Sequence, residues 1–104
     1  MYTPPHYKMD DAAQMRSFIR ANDFAILLIP GEPDLAATHI PMRLADEREV
    51  LIGHVARMNP ASEAILAGKE AMVIFPGPHA YISPTWYADP SVNVPTWNLS
   101  LIHI

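Results

Sequence analysis

Phe24-Ala25-Ile26-Leu27-Leu28-Ile29, halted by Pro30-Gly31, is the longest apolar run in the chain. A short apolar run bounded by a turn reads as a strand, and its lack of alternation predicts burial on both faces. It is far below the roughly 20 residues needed to cross a bilayer. After the turn at Glu32-Pro33-Asp34, Leu35 to Leu44 reads as a second strand. Pro41 lies inside it, and a proline there predicts a bulge or an edge position because it cannot donate to a ladder. Ala45 to Glu49 reads as a charged hairpin loop, and Val50 to Ala56 as a third strand.

Upstream, Thr3 to Tyr7 carries two prolines and is expected to be extended. Asp10 or Asp11 is placed to cap a helix through its carboxylate. Met15, Phe18 and Ile19 recur at helical spacing, which predicts a helix from about Asp11 to Ala21. Downstream, Asn59 or Ser62 is placed to cap a short second helix, with Pro60 near its first turn, Ile65-Leu66 facing the core and Gly68 ending it. Ala71 to Phe75 reads as a fourth strand, His79 to Ser83 as a fifth, Pro84 to Pro90 as a turn-rich loop, and Val94 to Ile104 as a last strand. Six short strands with two short helices predict a mainly β, α+β domain, a small β-barrel with helical additions.

The 104 residues suffice for one domain with a real core. Half are apolar and 17% charged, which excludes a disordered acidic tail. The net charge is −4, from 7 basic and 11 acidic residues, so no global basic field favours unaided DNA binding. Cysteine is absent, which excludes disulfides and thiolate metal sites. Met1 to His6 lacks the apolar core of a signal peptide, and the expectation is a soluble cytoplasmic protein. Eleven prolines are about twice the usual share of roughly 5%, so the elements should be short. Asn98 to Ile104 resembles the opening of a core strand, and the chain is expected to be the N-terminal part of a longer protein, its domain cut short at the C-terminal end.

No G-x-S-x-G, H-E-x-x-H, Walker loop or G-x-G-x-x-G is present. Four polar segments at strand ends stand out instead. Thr38-His39-Ile40-Pro41 places an imidazole among apolar neighbours, either as a core histidine bonded to backbone or as part of a strand lining a cleft. Pro41 breaks the local ladder and leaves backbone groups available. Gly53-His54-Val55-Ala56-Arg57-Met58-Asn59-Pro60 runs from a strand into a helix. A cation beside a helix start suits a phosphate or carboxylate, and Gly53 would let a planar ligand approach the backbone. Against this, most loop arginines are simply solvated. Pro78 to Tyr87 gathers three aromatics, a histidine and hydroxyls, enough to wall a planar ligand or to pack a barrel mouth. Val94-Pro95-Thr96-Trp97-Asn98 is a fourth cluster. His39, His54, His79 and His103 match no compact metal motif, so no metal site is assigned.

In order and spacing, these four segments are similar to the PaiB family of FMN-binding negative transcriptional regulators. The resemblance covers nearly the whole chain, from Met1-Tyr2 and Pro4 to Trp97-Asn98. It implies an FMN-binding split barrel, incomplete at this length, related to pyridoxamine-phosphate oxidase. It also implies a homodimer with the flavin at the interface. The cofactor-binding residues it points to are His39, Ile40 and Pro41 beside the isoalloxazine, Arg57 and Asn59 at the phosphate, Ser83 and Trp86 closing the site, and His54 and Ala56. The function it implies is FMN-linked repression of transcription. An FMN-dependent oxidoreductase is the alternative, since the cofactor itself supplies redox chemistry. A haem- or metal-binding barrel is a third reading, without an axial-ligand signature.

Overall fold

The computed structural model describes residues 4, 5, 8–30, 34–46, 49–98 and 101–103. The apolar run becomes β1 (Phe24–Pro30), the central strand of a five-stranded antiparallel sheet. Its neighbours are β2 (Leu35–Leu44) and β4 (Met72–Pro76), with β3 (Leu51–Gly53) and β7 (Leu101–His103) outermost. β5 (Ala80–Ile82) and β6 (Thr96–Asn98) form a separate two-stranded ribbon. The fold is mainly β with two short helices, and the five-stranded sheet stays open rather than closing into a barrel.

β1 is not equally buried on its two faces. Ala25, Leu27 and Ile29 are buried, whereas Ile26 and Leu28 are half-buried and Phe24 is exposed. The register sets Ala25 beside Ile40 and Leu27 beside Val73, so one sheet face collects the core. Both helices cover that face. The opposite face keeps Phe24, Leu35 and Met72 exposed, and it is apolar without a helix on it.

The first helix, α1 (Ala12–Ala21), begins where the Asp11 carboxylate accepts the amides of Ala13 at 2.7 Å and Gln14 at 3.3 Å. Such a cap satisfies donors that the helix itself cannot pair. Ile19 is buried, and Met15 and Phe18 pack beside it against Leu27, Ile40 and Phe75. Arg16 and Arg20 reach Glu49 at 2.9 Å and Asp46 at 3.5 Å at the β2–β3 turn. These exposed pairs contribute at most about 1 kcal/mol each. Burial of Phe75 contributes more, on the order of 2–3 kcal/mol.

The second helix, α2 (Ala61–Leu66), contradicts the expected facing. Ala61 and Ala64 are the buried residues, against Ile29 and Ala36, while Ile65 is 42% and Leu66 86% exposed. Pro60 stands at the N-cap of this six-residue helix. Two alanines three residues apart then let its axis lie close to the sheet. Gly68, at φ 68°, ends it. The amides of Gly68 and Lys69 bond the carbonyls of Ile65 and Ala64, both at 3.0 Å. Glycine takes this left-handed position without a Cβ penalty.

Pro41 produces no bulge in the β1–β2 register, which runs unbroken from Phe24↔Pro41 to Pro30↔Leu35. It instead shortens β3, expected to reach Ala56 but ending at Gly53. Ala45 bonds Val50 across this pair, so the register makes 43↔52 a bonded pair and 41↔54 the next. Pro41 has no N–H to give there, and the ladder stops. The expected last strand is two strands: β6 pairs with β5, and β7 turns back onto β4, with Phe75 opposite Ile102. The turn-rich segment between β5 and β6 holds two 3-10 turns, Pro84–Trp86 and Pro90–Val92.

Candidate functional site

In β2, the Met42 amide donates to the Asp23 carbonyl at 2.7 Å, toward β1, and the Ala45 amide donates to Val50 at 2.9 Å, toward β3. Successive peptide groups of a strand point to opposite sides. Even-numbered residues of β2 therefore bond β1, and odd-numbered ones face away. β3 covers that second side only from Met42 to Leu44. The N–H and C=O groups of Leu35, Ala37 and His39 accordingly lie along an open edge, with no strand beside them among the described residues.

A groove of about 970 Å³ lies between the start of β2 and the segment from Arg57 to Lys69. That is near the upper end of the roughly 300–1,000 Å³ typical of small-molecule sites. Asn59 fixes its geometry. The Asn59 amide donates to Thr38 Oγ1 at 3.1 Å, and its Oδ1 accepts the Ala61 amide at 2.9 Å. The Ser62 amide bonds the Asn59 carbonyl at 2.8 Å, and Ser62 Oγ bonds the Arg57 carbonyl at 2.8 Å. The turn carrying Arg57 is thus tied to β2 on one side and to α2 on the other. Because Asn59 already occupies the amides of Ala61 and Ser62, the attraction for an anion comes from side chains. Arg57 and Lys69 line the groove with no carboxylate paired to either among the described residues. Asp34 and Glu63 also line it, so the wall holds two groups of each sign.

The nine predicted site residues separate into five places. Arg57 and Asn59 line the groove. His39 and Pro41 are exposed on the helix-free face, where the His39 ring stacks on Phe24 with centroids 5.9 Å apart and an interplanar angle of 24°. His39 is therefore not a core histidine. The Ile40 side chain is buried in the core. His54 and Ala56 are exposed between β3 and the Arg57 turn. Ser83 and Trp86 stand apart, on the β5–β6 ribbon. The Ser83 hydroxyl caps the first 3-10 turn through the Thr85 amide at 3.3 Å, and Trp86 is 70% exposed.

Gly53 has a structural reason of its own. A Cβ there would lie 3.1 Å from Ile40 Cδ1 and 3.3 Å from the Pro41 oxygen, so the glycine admits β2 rather than a ligand. Among the described residues, no three histidine or acidic side chains gather as a metal site, and no polar side chain is buried. Sequence reasoning missed the open β2 edge at Ala37 and the groove position of Lys69. The first had a signal in the ladder-breaking Pro41, and the second had none.

Among the described residues, the groove sets two cations and two carboxylates beside a strand edge that no neighbouring strand covers. The family model described as "Putative FMN-binding domain" matches residues 1–104, and the chain belongs to that family. It is 35% identical to the protease synthase and sporulation protein PAI 2 of Bacillus subtilis, over 100% of this chain and 50% of that protein. It is 31% identical to an uncharacterised protein of Saccharomyces cerevisiae, over 70% of this chain and 48% of that one. A protein of Emericella nidulans is also 31% identical, over 81% of this chain and 46% of its own length. The chain spans about half the length of the curated relatives it matches. No described helix is long and apolar enough to cross a membrane.

Proposed function

We propose that this chain binds FMN non-covalently, with the phosphate at Arg57 and the ring along the β2 edge. The observation that carries the reading is the groove itself. It joins Arg57 and Lys69, unpaired among the described residues, to a strand edge that no described strand covers, in a chain of the family described as "Putative FMN-binding domain". A phosphate dianion gains charge-assisted bonds from such cations. The residues present thus fit the cofactor. His39 and Pro41 are exposed on the helix-free face, outside the groove's lining, and His54 and Ala56 are exposed between β3 and the Arg57 turn. When bound, the flavin supplies hydride or electron transfer.

Ser83 and Trp86 are part of the same proposal only through a second copy. The β5–β6 ribbon makes little contact with the five-stranded sheet, and the radius of gyration is 17.3 Å against about 13 Å for a compact chain of this size. A ribbon that extends in this way, with Trp86, Val92 and Val94 exposed, supports a homodimer in which one copy's ribbon closes the other's groove. The helix-free apolar face supports the same assembly. The open sheet would then be covered by the partner, in the cytoplasm.

The regulatory role is proposed as ligand-linked rather than as direct DNA contact by these residues. Lys8, Arg16 and Arg20 are paired with Asp10, Glu49 and Asp46, which reduces an already small set of cations. An FMN-dependent oxidoreductase is the second reading. It is favoured by the exposure of the groove rim, where Met58 is 97% exposed, because a second substrate can reach a ring placed there.

Titration of FMN, followed by flavin fluorescence and by bands near ~370 and ~450 nm, tests the central claim. Saturable quenching with a shifted spectrum is expected. Free-flavin behaviour at every protein concentration would overturn it. Added NAD(P)H separates the two roles: steady flavin reduction with an acceptor favours the enzyme.

A further inference from the structure

The edge of β2, unpaired beyond β3 among the described residues, has a donor and an acceptor side by side at Ala37. Its N–H and C=O both point away from β1, by the alternation set by Met42 and Ala45. β3 stops short of it, and Ala37 lines the groove. Leu35 lies at the strand's end, and His39 is not among the groove's lining residues, so Ala37 is the edge residue best placed inside it. The Ala37 side chain is a single methyl on the exposed face and does not screen its own backbone.

We infer that Ala37 reads the imide edge of the flavin ring: its carbonyl accepts the ring N3–H, and its N–H donates to a flanking ring carbonyl. This rests on the FMN reading and deepens it, because it names the ligand feature that the edge selects. The chemistry is that of strand pairing, with a planar heterocycle in the place of a neighbouring strand. The selected class is a flat ring carrying an acceptor next to a donor. The Thr38–Asn59 bond sets the Arg57 turn beside this edge, so ring and phosphate are held from one side each. Backbone recognition of this kind tolerates any side chain at position 37 small enough to leave the edge open. The edge choice also follows from the ladder: proline at an even position such as Ala36 would break the bond to β1, whereas proline at Ala37 removes only an outward donor.

The test compares FMN with N3-methyl-FMN, which keeps the phosphate and the ring but loses the donor. The protein is expected to bind N3-methyl-FMN about tenfold or more weakly, since the Ala37 carbonyl is left unpaired. Amide hydrogen exchange gives an independent readout: the Ala37 amide should exchange freely without ligand and become protected with FMN. Equal affinities would overturn the imide assignment while leaving FMN binding intact. Discrimination with an unprotected Ala37 amide would overturn the placement at this edge. Binding of neither flavin would overturn the FMN reading and this inference together. As a variant, Ala37→Pro with an unchanged circular dichroism spectrum should lose FMN affinity, and retained affinity would count against the edge.

Discussion

Asn59 and Thr38, 21 positions apart, are joined by a 3.1 Å hydrogen bond from the Asn59 amide to the Thr38 hydroxyl. The same side chain accepts the first amide of α2. One residue therefore sets both the start of a helix and the distance of the Arg57 turn from the sheet edge. Asn59→Ala should cost about 1–2 kcal/mol in urea unfolding, the usual loss for a helix-start cap with a second bond. Thr38→Val should cost less, and the double variant should be less destabilised than the sum of the two. Strict additivity would mean that the bond carries no coupling.

Arg57→Ala should weaken FMN by about ten- to a hundredfold, the value of a hydrogen bond to a charged group. Riboflavin, which lacks the phosphate, should bind wild type and variant equally. Lys69→Ala should shift FMN in the same direction. If isothermal titration gave one dissociation constant for wild type and Arg57→Ala, the phosphate would lie elsewhere.

The two described glycines with a clear reason should fail in different ways. Gly68→Ala places a side chain at φ 68° with open space around it, so only backbone strain of roughly 1–2 kcal/mol is expected. Gly53→Ala meets Ile40 and the Pro41 oxygen instead, and overpacking of about 1 kcal/mol or more should result. Thermal unfolding distinguishes them when Ile40→Val is added. That truncation should relieve Gly53→Ala in part and leave the Gly68→Ala loss unchanged.

Asp89 is held below the usual aspartate range by hydrogen bonds from the side chain and backbone of Ser91, at 2.6 Å and 3.0 Å. A depressed folded value means that this bond supports the second 3-10 turn above the unfolded carboxyl value. The support is lost as pH falls through the folded one. NMR titration of the Asp89 carboxyl should show the low value in wild type and a return toward the ordinary range in Ser91→Ala. An unchanged midpoint would remove the Ser91 hydroxyl bond as its main cause.

The proposed second-copy role of the ribbon predicts a concentration dependence. Trp86→Ala should leave the fold of one chain intact, because Trp86 is 70% exposed. It should nevertheless weaken self-association in sedimentation analysis and FMN affinity together. Loss of FMN affinity with unchanged association would place Trp86 in its own chain's site.

Local chemistry by itself determined α1, β1, β2 and β4, because each depends on apolar spacing, a capping aspartate or a proline stop within a few residues. Recognition of the family was also legible, since its motifs are contiguous. The tertiary structure alone decided which face of α2 is buried, a choice made by the close fit of Ala61 and Ala64 on Ile29 and Ala36. It also decided that Val94 to Ile104 divides between two sheets, and that β3 stops opposite Pro41. Most consequential for the site, it set Arg57 beside a β2 edge unpaired among the described residues and left Ser83 and Trp86 out of the groove's lining. Hydrogen-bond partners across a sheet lie tens of residues apart, so Pro41 marks a break in the ladder locally, but only the strand order shows that Ala37 lies on the side left open.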